Sequence, residues 1–332
     1  ISAFNHPLNL IAHQVGPAVA SGCPVLVKPA KDTPLSCKSF VEILYEAGLD
    51  ERWCRFVPCS NDVAEQMVID SRTAFFSFIG SARVGWMLRS KLAPGTRLAL
   101  EHGGAAPVIV DEGVASGKVI PPLLKGGFYH SGQVCVSVQR VFVPRAELPD
   151  FAAELAEGAE ALTVGDPTKA ETQCGPLIRP AEVDRVASWV DAAVQGGARL
   201  AAGGKRMGST LYQPTVLVDP PCDADVSQKE VFGPVVCIYG YDDVDAAIGQ
   251  ANALPYAFQA AVFTDRMSWA DYCVETLAAS AVMVNDHTAF RVDWMPFAGR
   301  RQSGLGTGGI GYTMADMSEE KMVVVNAPSS VR

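Results

Sequence analysis

Cys135 is the residue whose surroundings most clearly suggest covalent chemistry. It closes the sequence Ser-Gly-Gln-Val-Cys, at a predicted turn between a helix over residues 117–129 and a strand over residues 138–144. An isolated cysteine usually serves as a small buried side chain. A turn, however, exposes the side chain and brings backbone N–H groups that lower the pKa of a thiol. We therefore expect Cys135 to be a nucleophile activated by its own turn.

Glu101 is the second candidate, because it ends an apolar segment and precedes Gly103 and Gly104. Ligands of open α/β sheets bind in the crevice outside the carboxyl ends of the strands. A carboxylate at such a strand end faces the crevice, whereas a surface glutamate would belong to a solvated face. The position predicts an acid or base that acts beside a bound ligand.

Three further segments carry groups suited to a dinucleotide. Gly80 and Ser81 join a predicted strand to a predicted helix, and the free N–H groups of a helix N-terminus attract a pyrophosphate. Lys28 closes another strand with a cation that can reach a ribose or a phosphate. Glu230 and Phe232 are two residues apart on an extended segment and share one side of it. Such a pair suits a ribose diol and a nicotinamide ring.

The elements that must position these residues alternate along the chain. β-branched segments over residues 24–28 and 54–58 are each followed by helical periodicity, over residues 35–47 and 63–71. This alternation predicts a doubly wound, mostly parallel α/β sheet. A second α/β series follows Gly103 and Gly104, where we place the domain boundary. The segment over residues 321–326 is predicted to form a strand with no helix after it.

Composition narrows the class of protein. The chain has 332 residues, 48% of them hydrophobic and 19% charged, with a net charge of −9. These values predict two ordered domains and argue against nucleic acid or anionic membranes as partners. No apolar segment reaches the ~20 residues of a membrane span. Nine cysteines without a CxxC pair and five histidines offer no metal site, so we expect a metal-free protein in a reducing, cytoplasmic setting.

Taken in order, these segments resemble the aldehyde dehydrogenase superfamily over essentially the whole chain. The segments that carry the resemblance are Phe4-Asn5-His6-Pro7, Lys28-Pro29, Phe78-Ile79-Gly80-Ser81, Glu101-His102-Gly103-Gly104, Gly132-Gln133-Val134-Cys135, Glu230-Val231-Phe232-Gly233-Pro234 and Pro296-Phe297-Ala298-Gly299 with Gln302-Ser303-Gly304. The resemblance implies a Rossmann-like NAD(P)-binding domain over residues 1–102, lacking its usual N-terminal part. It further implies a catalytic domain over residues 103–305, and a return with an oligomerisation strand over residues 306–332.

The resemblance also implies a mechanism. Cys135 would attack an aldehyde, and the Asn5 amide and the Cys135 backbone N–H would form the oxyanion hole. Hydride transfer to the cofactor would leave a thioester, which Glu101 hydrolyses by activating water. The residues implied to bind NAD or NADP are Lys28, Lys31, Gly80, Ser81, Glu230 and Phe232.

Departures from the family pattern bear on specificity. Lys31 stands where the family usually has an acidic residue that binds the adenosine ribose, and a cation there favours the 2′-phosphate of NADP. Asp32, next in the chain, leaves NAD binding open. His102 replaces a usual leucine, with no role that the sequence reveals.

The resemblance implies a small-molecule aldehyde as the substrate, and it places residues 285–294 at the mouth of the substrate tunnel. His287, Arg291 and Phe297 are the predicted substrate residues. Arg291 would pair with an anionic group on the aldehyde, unless it forms an ion pair with Asp293 or with an acidic residue of another subunit. The tail strand implies a homodimer or homotetramer.

Three alternatives remain open. A CoA-acylating family member would release the thioester to CoA and often lacks the glutamate that Glu101 provides. The phosphorylating glyceraldehyde-phosphate type also uses a cysteine, but it relies on a histidine base and a GxGxxG start, neither of which is visible. A truncated or catalytically inactive relative with a structural role would not need Asn5, Glu101 and Cys135. These three residues favour the hydrolytic enzyme.

Overall fold

The computed structural model describes residues 1–326. Its first part alternates helices and short strands, in the order α1 (Asn9–Ala20), β1 (Val25–Val27), α2 (Pro34–Glu46), β2 (Cys54–Phe56), α3 (Asn61–Ile69), β3 (Phe75–Ile79), α4 (Ala82–Arg89) and β4 (Arg97–Glu101). β1 pairs with β2 and β3 with β4, both in parallel. The predicted parallel α/β arrangement is confirmed here.

Ile1 and Ser2 connect the two strand pairs of this first part. The Ser2 N–H donates to the Lys28 carbonyl at 3.1 Å, and the Ile79 N–H donates to the Ile1 carbonyl at 3.0 Å. These bonds place the ends of β1 and β3 on either side of the first two residues. The loops that follow both strands therefore open onto the same crevice.

The second part is built on one large sheet. Its elements are β5 (Ala106–Val110), α5 (Ser116–Phe128), a 3-10 turn (Tyr129–Gly132), β6 (Val138–Pro144), α6 (Leu148–Glu160), α7 (Pro180–Gln195), β7 (Arg199–Ala202), β8 (Thr215–Val218), α8 (Asp225–Gln228), β9 (Val235–Tyr241), α9 (Val244–Asn252), β10 (Tyr256–Ala257), β11 (Gln259–Phe263), α10 (Met267–Thr276) and β12 (Ala281–Val284). The strand order is β12-β11-β5-β6-β9-β8-β7, parallel except for β7. Every residue of β6 is buried, as expected for a strand covered on both faces.

The chain then returns to the first part through β13 (Arg300–Arg301), β14 (Gly304–Leu305) and α11 (Ile310–Asp316). β14 pairs antiparallel with β4, and Gly304 lies opposite Glu101. A β-carbon on Gly304 would collide with the Leu100 carbonyl, so only glycine allows this close approach. The return therefore brings the late motif next to Glu101.

The expectation of an intersubunit strand over residues 321–326 stays a prediction. These residues form no strand in the described part of the protein, and Val323, Val324 and Val325 are 74%, 81% and 77% exposed. A strand needs a neighbour for its N–H and C=O groups. No strand of the same chain lies beside this segment within residues 1–326.

Candidate active site

One crevice of about 1170 Å³ lies between the two parts of the chain. It gathers all but one of the residues that the sequence singled out, namely Asn5, Lys28, Lys31, Gly80, Ser81, Glu101, Cys135, Glu230, Phe232, Arg291 and Phe297. The exception is His287. The motifs come from seven separate regions of the sequence, so their convergence is a property of the fold.

The turn that carries Cys135 is strongly bent. His130 and Ser131 have φ of 50° and 57°, and Gly132 has φ of 68°, which places three successive residues in the left-handed region. A β-carbon on Gly132 would collide with the Gly233 carbonyl. The Ser131 hydroxyl donates to the Gly175 carbonyl at 2.6 Å. The turn is therefore fixed by contacts on both sides.

Gln133 anchors the same turn from within. Its side-chain amide donates to the carbonyls of His130 at 3.1 Å and Pro176 at 3.2 Å. Its side-chain oxygen accepts from the Ile178 N–H at 2.9 Å. All the polar groups of a buried amide are thus used to hold the backbone that leads into Cys135. This explains the glutamine of the motif, for which the sequence analysis gave no structural role.

The backbone hydrogen bond at the turn lowers the thiol pKa, as expected, but larger effects outweigh it. Cys135 is only partly exposed, and burial raises its pKa well above the usual value. The carboxylates of Glu101 and Glu230 raise it further, while Arg291 acts in the opposite direction. Burial and negative neighbours disfavour the thiolate. The thiol must therefore lose its proton before attack.

Glu101 has the pKa of a general base. Burial raises the pKa of its carboxyl to about 7, against a smaller lowering by Arg291. A carboxyl poised near neutral pH exchanges protons in both directions, as a general base requires. Glu101 and Cys135 line the same crevice.

Asn5 lies directly over the nucleophile turn. Its Nδ2 donates to the Gln133 carbonyl at 2.9 Å and lies 3.1 Å from Nδ1 of His6. The first bond fixes the direction of the amide. The second N–H of the same nitrogen faces Nδ1 of His6. A ligand oxygen can take the place of that imidazole nitrogen as the acceptor.

Glu230 packs into the space left by a glycine. A β-carbon on Gly103 would collide with the Glu230 carboxylate, so the glycine pair after Glu101 admits this side chain. Burial raises the pKa of Glu230 to about 8. Its Oε1 is buried with no hydrogen-bond partner among residues 1–326. Phe232 stands beside it, in edge contact with Phe4 at 5.8 Å.

The residues at the other end of the crevice can meet phosphates and ribose. Lys28 is buried, and its Nζ donates to the Pro29 carbonyl at 3.3 Å, which leaves further N–H groups for a ligand. Ser81 is the N-cap residue of α4, as predicted, although its hydroxyl makes no capping bond. Lys31 is exposed at the crevice.

Arg291 lies within the electrostatic reach of both Glu101 and Cys135. It stacks over the ring of Phe297 at 4.4 Å, and its Nη1 donates to the carbonyls of Val292 and Met295. No ion pair joins it to Asp293 within residues 1–326, since Asp293 instead contacts His13 at 3.1 Å. The alternative of a structural Arg291–Asp293 bridge is therefore excluded.

The assignment of His287 to the substrate is wrong. His287 is 7% exposed and lies against α5, where a β-carbon on Gly126 would clash with it. It does not line the crevice. A loop sequence does not reveal which of its side chains face inward, and His287 faces the catalytic core behind the nucleophile.

Sequence reasoning also missed an aromatic group at the mouth of the crevice. His6 stacks on His130 at 4.4 Å, and Tyr129 lies 4.2 Å from the His130 ring. Both His6 and Tyr129 line the crevice. His6 directly follows Asn5, and Tyr129 directly precedes the nucleophile turn. These two positions were the only indication of the aromatic group in the sequence.

None of the helices in the described part of the chain is long and apolar enough to cross a membrane. Residues 1–326 contain no group of three or more His, Cys, Asp or Glu side chains arranged to hold a metal ion.

Known proteins resemble the chain over its whole length. The model of the aldehyde dehydrogenase family matches residues 1–323. A 3-sulfolactaldehyde dehydrogenase from Priestia aryabhattai is 37% identical over 98% of this chain and 68% of its own length. A lactaldehyde dehydrogenase from Methanococcus aeolicus is 32% identical over 98% of this chain and 70% of its own.

Solved structures show the same fold. Aldehyde dehydrogenase 21 from Physcomitrella patens, in complex with the reaction product succinate, superimposes with a TM-score of 0.95 at 35% identity, over 99% of this chain and 69% of its own. Glyceraldehyde-3-phosphate dehydrogenase from Methanocaldococcus jannaschii, complexed with NADP, superimposes with a TM-score of 0.92 at 33% identity. The match covers 96% of this chain and 70% of that structure's chain. The chain belongs to the aldehyde dehydrogenase family, whose members oxidise aldehydes with NAD or NADP.

Proposed function

We propose that the protein oxidises a short aldehyde with an anionic substituent to the carboxylic acid, through a thioester on Cys135 that water hydrolyses. The observation that carries this proposal is the meeting of Cys135, Glu101 and Asn5 in one crevice. A nucleophile, a base poised near neutral pH and an amide donor are the groups that acyl transfer requires.

Acylation begins when the Cys135 thiol loses its proton to solvent. Burial and the two carboxylates oppose this ionisation, whereas the backbone hydrogen bond at the turn and Arg291 favour it. The thiolate attacks the aldehyde carbon. The Asn5 N–H that now meets His6 turns to the new oxyanion, together with the Cys135 backbone N–H. One such donor contributes ~3–4 kcal/mol in the transition state.

Deacylation uses Glu101, with water as the nucleophile. The ionised Glu101 carboxylate takes a proton from the water that attacks the thioester, and Asn5 again stabilises the oxyanion. The carbon–sulfur bond then breaks, and the departing Cys135 thiolate takes up that proton. Because Glu101 is present and enclosed, hydrolysis is favoured over release of the acyl group to CoA.

The residues present fit a nicotinamide dinucleotide, which supplies the hydride acceptor when bound. The unpartnered Glu230 Oε1 offers an acceptor for a ribose hydroxyl, and Lys28 offers donors. Phe232 provides an aromatic wall. Gly80 and Ser81 present the N-terminus of α4 to the pyrophosphate, and Lys31 favours a 2′-phosphate.

The substrate assignment is supported by Arg291 and by the relatives. Nε and Nη2 of Arg291 donate to no group within residues 1–326 and remain available to an anion. The names of the relatives given above include a sulfonated aldehyde, a phosphorylated aldehyde and the dicarboxylate succinate. All three carry an anionic group away from the reacting carbon.

Formation of NAD(P)H from a panel of aldehydes tests the proposal. We expect turnover with anionic semialdehydes, and its loss in Cys135→Ala with cofactor binding retained. Cys273→Ala, which removes a buried cysteine outside the crevice, is the matched control and keeps the activity. A few per cent of the rate in Cys135→Ala would refute the role of the nucleophile.

A further inference from the structure

His102 directly follows Glu101 and is 1% exposed. Its Nδ1 lies 2.9 Å from the carbonyl oxygen of Gly80, and its backbone N–H donates to the Ser303 carbonyl at 2.9 Å. A carbonyl oxygen can only accept, so Nδ1 carries the proton and donates. Burial lowers the pKa of the ring, which is therefore neutral.

Packing fixes the orientation of this ring. Phe78 and Trp86 meet it edge-on, with ring centroids at 5.8 Å and 5.7 Å. On a third side it lies against Gly85 of α4, where a β-carbon would collide with the imidazole. The ring is thus wedged between the end of β3 and the body of α4.

Both backbone groups of Gly80 are held by the end of β4. The Gly80 N–H donates to the Glu101 carbonyl at 3.0 Å, and the Gly80 carbonyl accepts from His102. Within residues 1–326 no backbone N–H donates to this carbonyl. The turn into α4 is therefore tied to the residue that supplies the base and to its neighbour.

The direction of this carbonyl sets the direction of the next N–H. In a planar trans peptide the C=O and N–H groups point to opposite sides. The Gly80 carbonyl points at His102, so the Ser81 N–H points away from it. That N–H donates to no group in the described part of the chain. It is available to an anion at the N-terminus of α4.

We propose that His102 is a positioning residue for the cofactor: it holds the Gly80–Ser81 peptide with its N–H towards the pyrophosphate. The inference rests on the proposed assignment of Gly80 and Ser81 to the pyrophosphate. Without the imidazole donor, this peptide is free to turn its carbonyl towards the phosphate oxygens, which repel it. His102 contacts the cofactor only through this peptide.

The test compares dissociation constants of the full-length protein for a dinucleotide and for a fragment without pyrophosphate. The probes are NADP with 2′-AMP, and NAD with adenosine, measured by calorimetry. His102→Leu removes the donor, and we expect it to weaken dinucleotide binding three- to tenfold while fragment binding stays unchanged. His102→Asn restores affinity, because its Nδ2 is attached to Cγ as the imidazole Nδ1 is.

Controls separate this role from general damage. His287→Leu replaces another buried histidine, one outside the crevice, and we expect it to leave dinucleotide affinity unchanged. His102→Ala is the second variant without a donor, should His102→Leu fail to fold. A wild-type protein that binds neither dinucleotide would refute the proposed cofactor site itself.

Two results would overturn the inference about His102 while leaving the proposed cofactor site intact. One is dinucleotide binding by both donor-less variants with the affinity of the wild type. The other is equal weakening of dinucleotide and fragment, without rescue by His102→Asn. Either would show that the imidazole only fills space.

Discussion

The carboxylate of Asp32 lies 3.3 Å from the guanidinium of Arg179, and both side chains line the crevice. Asp32 was the residue that left NAD binding open, since a free carboxylate there would accept the 2′-hydroxyl of the adenosine ribose. The ion pair engages that carboxylate. Lys31 remains beside it as an exposed cation.

This arrangement predicts a preference for NADP or dual use of both cofactors. Lys31→Glu replaces the cation by a carboxylate, and we expect it to shift the ratio of kcat/KM for NAD and NADP at least tenfold towards NAD. Lys38→Glu is the control, because Lys38 lies on α2 outside the crevice. A wild-type enzyme that already prefers NAD more than a hundredfold would contradict the argument from charge.

The raised pKa of Glu101 predicts the pH dependence. The folded-state pKa of about 7 lies above the usual 4.5, so the carboxyl is mostly protonated at pH 6 and cannot act as a base. With deacylation limiting, kcat is expected to fall about tenfold per pH unit below 7. A limb near pH 4.5 in the wild type would show that burial does not tune the base.

Arg291 is predicted to recognise the anionic group. Arg291→Leu should raise KM for an anionic semialdehyde by one to two orders of magnitude, which corresponds to the ~1.5–3 kcal/mol of a charged hydrogen bond. The KM for a neutral aldehyde of equal length should stay the same. Arg300→Leu, which changes an exposed arginine outside the crevice, is the control. Equal effects on both substrates would rule out this role.

The tail is predicted to pair with another copy of the chain. Residues 322–325 are apolar, three of the four are β-branched, and none is paired in a strand within the described chain. The resemblance implies an intersubunit strand over residues 321–326. Removing the residues after Glu320 should dissociate the oligomer on a sizing column. Lys321→Gln preserves the β-branched segment and should elute like the wild type. An unchanged oligomer after truncation would show that subunits associate elsewhere.

The sequence predicted the helices and strands that are marked by a run of neighbouring residues. β6 has the bounds that its β-branched residues predict, and the strands on both sides of the crevice follow from short apolar segments. α1 was missed because Gly16 and Pro17 interrupt its pattern. β14 was missed because it has only two residues and exists through its pairing with β4.

The residues of the site likewise differ in how far the sequence could predict them. The motifs identified Cys135 and Glu101 as candidates, because their spacing around glycines is visible in the chain. The direction of the thiol pKa was not predictable, since it depends on burial and on Glu230, which lies far away in the sequence. The role of His102 was equally hidden, because Gly80 and Gly85 meet it only in the folded protein.

The central claim is that Cys135 carries an acyl group that Glu101 releases. In Glu101→Gln the amide cannot activate water, so each active site should form one NAD(P)H and stop. Mass spectrometry of the quenched protein should then find the acyl mass on the peptide that contains Cys135. Continued turnover without an adduct, or an adduct on another residue, would contradict the account.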